Sequence, residues 1–144
     1  MNAWLLTHLI FIGLWGGCVA VEMVIEFWGR KDTASKHQTA QLHYLIDIYV
    51  EVPILIVVLI SGIALFNVDN LIFPTYKVKI IAGLIPVLIN IYCLVPVIRR
   101  KHASDNDDVE AMDGNTRLIF FCFVTGFASA MVALAAGLHI VGII

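Results

Sequence analysis

Two groups of ionisable side chains lie inside apolar stretches of this chain, and each points to its own chemistry. In the larger group, Glu22 and Glu26 are four residues apart, and His43, Asp47 and Glu51 follow one another at the same interval. Side chains four apart share one face of an α-helix. If the two stretches run antiparallel across a short connection, Glu26 meets His43 and Glu22 meets Asp47, level for level. Glu51 then reaches deeper, near Cys18. Four carboxylates held this close repel, so some must keep a proton or share a cation. Carboxylates with one imidazole form a ligand set for a divalent ion such as Zn, Fe, Mn or Cu(II). The plainer alternative is a protonated or solvated cluster with Arg30 or Arg99 as counter-ions.

The smaller group is His8 and His139. His8 lies about five residues into the first apolar stretch, and His139 about five from the end of the last. At about 1.5 Å rise per residue, both would sit roughly 7 Å below the same membrane surface. Two imidazoles level with each other on different helices suit a bis-histidine haem b, with one axial ligand on each side of the ring. Small residues could make room for a flat cofactor. Gly13 and Gly17 are four apart, and Gly126, Ala130, Ala133 and Gly137 are spaced four, three and four. Close helix–helix packing, with a homodimer as one outcome, uses the same small-residue faces.

The elements that must carry these groups are membrane helices. Hydrophobic residues make up 60% of the 144 and charged residues 14%, an excess that water does not accommodate in one domain of this size. The apolar stretches run over about 3–28, 42–66, 71–98 and 118–144. Each exceeds the roughly 20 residues a helix needs to cross the hydrocarbon. Lipid offers backbone groups no partner, so each stretch must be a helix. The expected fold is all-α, an integral membrane four-helix bundle over 1–144.

Lys and Arg gather at Arg30, Lys31 and Lys36 and again at Arg99, Arg100 and Lys101. The positive-inside rule places both connections in the cytoplasm, with the N and C termini on the outer, periplasmic side of a bacterial inner membrane. The acidic stretch Asp105–Asp113 reads as a solvated loop, with His37 and His102 as loop residues. Pro53 and Pro86 are expected to kink their helices. Cys18, Cys93 and Cys122 fall in apolar runs and suit buried thiols rather than disulfides. A net charge of −2 with no basic stripe gives no argument for nucleic acid.

The run from His8 through Trp15 to Gly16 and Gly17, Pro53 with Ser61 and Gly62, Lys77 and Lys79 after Pro74, and Arg117 together resemble the HemJ-type protoporphyrinogen oxidases and the CopD-type copper-resistance membrane domain. That resemblance implies a four-helix membrane bundle with a b-type haem. His8 is then the axial ligand, Trp15, Gly13 and Gly17 lie around the ring, and Lys79 is the functional lysine. Asn90 stands where that pattern has His, and the polar residues that follow the arginine are Leu118, Ile119 and Phe120 here. The expected function is therefore a membrane haem b protein. It would exchange electrons with a quinone, a porphyrinogen or a redox partner protein. Divalent-metal binding or transport at the acidic cluster is the rival.

Overall fold

The computed structural model describes residues 2–141, and among these the chain is helical with no strand. The elements are α1 (Ala3–Trp28), α2 (Thr33–Ile46), a π-helical turn (Asp47–Glu51), α3 (Val52–Ala64), a short 3₁₀ turn (Val68–Ile72), α4 (Pro74–Asp105) and α5 (Val109–Val141). Four helical runs are long and apolar enough to cross a membrane: Ala3–Trp28, Thr33–Ala64, Pro74–Asp105 and Val109–Ile140. Large apolar side chains such as Val24, Ile63, Ile81, Leu88 and Phe121 are exposed along them, as contact with lipid requires. The chain is a multi-pass membrane protein.

The helices extend further than hydropathy alone implies. α2 begins at Thr33 rather than 42, α4 continues to Asp105, and α5 starts at Val109 rather than 118. The acidic stretch expected as a loop is therefore mostly helix, and so are His37 and His102. The physical reason is capping. Asp32 accepts a hydrogen bond from the Ser35 amide at 2.7 Å and opens α2. Asp108 accepts from the Ala111 amide at 3.0 Å and opens α5. A polar helix turn needs no lipid, so hydropathy is blind to it. The Asp32 carboxyl is held below its ordinary value by that backbone bond. Asp107, at φ 56°, turns the chain between α4 and α5 in the left-handed region that Asp tolerates. Residues 142–144 of the last apolar stretch lie outside the described range.

The chain divides into two compact units, Met1–Phe66 with Val97–Asn115, and Asn67–Pro96 with Thr116–Ile144. In the first, the polar ends of the helices are knitted together. Lys36 pairs with Asp113 at 2.7 Å, His37 Nδ1 lies 2.8 Å from Ser104 Oγ, and Ala40, Ala103 and Met112 bury one another. Gly29 ends α1 against Thr39, whose side chain a methyl group there would strike.

In the second unit, small residues let α4 and α5 approach. Ser129 Oγ donates to the Ala82 carbonyl at 2.8 Å. A methyl at Gly126 would meet Ile89 Cγ2 at 3.5 Å, and one at Gly137 would meet Lys79 Cε at 3.7 Å. The spacing of small residues on the last helix thus serves packing. Gly13 and Gly17 differ. A methyl at either meets nothing within 4 Å among the described residues.

The second membrane run is not a uniform α-helix. Ser35, Thr39, His43, Asp47, Glu51 and Leu55 are all buried, each four residues after the last. In an α-helix every such step rotates about 40°, so this stripe would drift by about 200° and leave the interface. The π turn at Asp47–Glu51 takes up one extra residue, about 100° of rotation, and returns Glu51 to the face that carries His43. Its marker is the Val52 N–H donating to the Asp47 carbonyl, one residue beyond the α-helical partner. Pro53 follows and has no N–H for the Tyr49 carbonyl, which removes a competing α-helical bond. The sequence leads one to expect a kink at Pro53; the structure has this wide turn before it.

Candidate metal centre

The site lies in the first unit, where α1 faces α2, the π turn and α3. Glu22 and Glu26 come from α1, His43 from α2, Asp47 and Glu51 from the two ends of the π turn, and Arg100 from α4. Glu22, His43, Asp47, Glu51 and Arg100 are all buried, with Asp47, Glu51 and Arg100 each 2% exposed. Glu22 lies six residues before the end of α1, about 9 Å along the helix axis. Glu22 and Glu26 thus lie within the first run long and apolar enough to cross a membrane, Ala3–Trp28.

His43 is the centre. Its Nδ1 lies 2.5 Å from Glu26 Oε1, and that oxygen lies 2.7 Å from Arg100 Nη1. Arg100 Nη2 also approaches Nδ1, at 2.8 Å. A guanidinium only donates, so Nδ1 stands between an obligate donor, Arg100 Nη2, and a carboxylate oxygen, Glu26 Oε1. With the proton on Nδ1, His43 donates to Glu26 and Nε2 keeps the lone pair; with the proton on Nε2, Nδ1 accepts from Arg100. A metal ion on Nε2 requires the first of these. A carboxylate behind an imidazole is the arrangement that fixes the tautomer of metal-binding histidines.

Nε2 faces two carboxylates. It lies 3.4 Å from Asp47 Oδ1 and 3.7 Å from Glu22 Oε2. One ligand atom from each of Glu22, His43 and Asp47 falls within 4.8 Å of the other two. Asp47 Oδ1 and Glu22 Oε1 are buried and accept no hydrogen bond. Buried carboxylate oxygens without a donor are costly. A cation held by His43, Asp47 and Glu22 would offset both carboxylates. Glu51 stands apart from this set because the Trp15 indole N–H donates to its Oε1 at 2.6 Å.

The level-by-level expectation places Glu26 against His43, as the structure does; Glu22, expected to meet Asp47, lies with it at the same imidazole. Its counter-ions are different. Arg100, not Arg30 or Arg99, enters the cluster; Arg30 lies over the Phe27 ring instead, 5.1 Å from its centroid. Arg100 escapes a hydropathy reading because it sits in a charged run that ends an apolar stretch. A signal is present: Val97, Arg100, Ala103 and Ser104 recur at helical spacing and are all buried. The role of Trp15 also emerges only in the structure. A mid-helix indole reads as packing, yet its N–H holds a buried carboxylate.

The two histidines of the smaller group fall in different units. His8 Nδ1 lies 2.9 Å from Ser61 Oγ. Ser61 donates its own proton to the Val57 carbonyl at 2.7 Å, so its oxygen accepts the Nδ1–H of His8. Gly62 gives the ring room; a methyl there would press on His8 Cε1 at 3.2 Å. His139, on α5, is exposed. Lys79 lies along α4 with its stem across Gly137. Cys18, Cys93 and Cys122 form no disulfide with one another; Cys122 is buried as expected, whereas Cys18 and Cys93 are half-buried. Comparison of the chain with protein-family models, with curated proteins and with solved structures finds no match.

Proposed function

We propose that this protein binds a divalent metal ion within the membrane, with His43 Nε2, Asp47 and Glu22 as ligands, and serves in metal binding or transport. The observation that carries the reading is the convergence of one imidazole nitrogen and two buried carboxylates lacking donors, with Glu26 and Arg100 behind the imidazole. Charge supports it too. Arg100 offsets Glu26, and Glu22, Asp47 and Glu51 remain as buried carboxylates whose charge a divalent cation would help to balance. Arg30, Lys31, Lys36, Arg99 and Lys101 would lie on the cytoplasmic side, so the site would open toward the inner leaflet of a cell membrane. Equilibrium dialysis of the detergent-solubilised protein against zinc, followed by element analysis, tests the reading. One bound ion per chain is expected, with loss of it in Glu22→Gln and Asp47→Asn. Equal retention by both variants refutes it.

A second reading keeps a b-type haem, supported by His8. The Ser61 hydroxyl leaves the His8 lone pair on Nε2, the nitrogen that ligates iron in haem proteins when the other is bonded behind it. Such a haem would suit electron exchange with a quinone, a porphyrin or a protein partner. Its test is a Soret band in protein from haem-replete cells that His8→Ala abolishes; a colourless preparation overturns it.

A further inference from the structure

The cluster has more carboxylates than a four-coordinate ion uses, and the structure withdraws two of them. Trp15 engages Glu51. Arg100 and His43 together engage Glu26 through one oxygen, Oε1. What remains around Nε2 is one nitrogen and two carboxylates. His43 Nε2 lies 3.4 Å from Asp47 Oδ1 and 3.7 Å from Glu22 Oε2. One nitrogen and two carboxylates, with room for one more ligand, are a donor set that zinc accepts.

We propose that Arg100 is the residue that sets which class of cation the site takes. This rests on the metal reading above. By fixing Glu26 behind His43, Arg100 keeps a fourth side chain from the ion and leaves a nitrogen-containing, four-coordinate set that suits zinc-type ions. Without the guanidinium, Glu26 is released. An extra oxygen donor favours ions that take six oxygen-rich ligands, manganese among them. Arg100 does not touch the ion in this account; it is a positioning residue acting through Glu26. Two features make it suited to the task. Its guanidinium donates from two nitrogens in a fixed plane, which a lysine cannot reproduce. It is also among the largest fully buried side chains, so its position is set by packing.

The experiment is competitive binding of zinc chloride and manganese chloride to the full-length protein in detergent micelles. The proteins compared are wild type, Arg100→Met, Arg100→Lys and the double variant Arg100→Met with Glu26→Gln. The wild type should prefer zinc. Arg100→Met should narrow the zinc-to-manganese ratio by about 10-fold or more, the scale of effect expected from disturbing the groups behind a ligand. Arg100→Lys should narrow it less. The double variant should restore most of the preference, because no carboxylate is then released. A ratio unchanged in Arg100→Met, or narrowed equally in the double variant, overturns the proposal. If Arg100→Met does not fold, Arg100→Lys decides: a wild-type ratio there overturns it. Failure of the wild type to bind either ion is a different outcome and refutes the metal reading itself.

Discussion

The two units of this molecule solve the problem of holding helices together in lipid in opposite ways. In the second, α4 and α5 meet through Gly83, Gly126, Ala133 and Gly137, with a serine on a backbone carbonyl, Ser129 to Ala82, as a polar link. In the first, α1 meets its neighbours through His8 on Ser61, Trp15 on Glu51, and Glu22 and Glu26 on His43. Small-residue packing fills space and leaves nothing reactive behind. Polar pairing holds the helices and also concentrates donors and acceptors where water is excluded. The first unit is held by polar contacts that leave Asp47 Oδ1 and Glu22 Oε1 without donors, and the second by close packing of small residues.

The contrast can be broken most forcefully at Arg100. Arg100→Met leaves Glu26 buried without its counter-ion, and loss of one partner of a buried pair costs about 3–5 kcal/mol. Thermal unfolding in detergent should show this as the largest destabilisation of the set, with Glu26→Gln in the same chain recovering much of it. A loss under about 1 kcal/mol would mean that the polar cluster does not hold the first unit together.

Glycine substitutions sharpen the same comparison. Gly126→Leu should overpack α5 against Ile89 and cost about 1–3 kcal/mol. Gly13→Leu, with open space around it, should be near neutral, within about 0.5 kcal/mol. Equal effects would erase the distinction between a packed small-residue face and an exposed one. The smallest change is at the cap. Asp32→Ala should lower the melting temperature slightly at neutral pH by removing the bond to Ser35. Because the folded-state pKa of Asp32 is depressed, its contribution is present above the unfolded value and fades as pH falls through the folded one. Wild type and variant should converge in acid; a gap that persists there contradicts the capping assignment.

How much of this was legible in the sequence depends on the kind of signal. Apolar length gives the four spans, because lipid forces helices on any such run. The interval of four gives the shared faces of Glu22 with Glu26 and of His43 with Asp47. It also points to Glu51, but for a reason that regular helix geometry does not sustain: α-helical rotation carries position 51 about 80° from position 43, and only the π turn before Pro53 returns it to that face. Arg100 was hidden for a different reason. Hydropathy ends a span at the first charges, but α4 continues to Asp105 and turns one guanidinium inward. The His8–Ser61 bond was equally hidden, since a serine far along the chain announces no partner.

The account stands or falls on the ligands around Nε2, and X-ray absorption at the zinc edge of the zinc-loaded protein tests them most directly. It predicts a first shell of nitrogen and oxygen at about 2.0–2.1 Å, with outer-shell scattering from one imidazole and no sulfur, and collapse of that signal in Asp47→Asn. Sulfur in the first shell, scattering from several imidazoles, or a spectrum identical in the variant would contradict it.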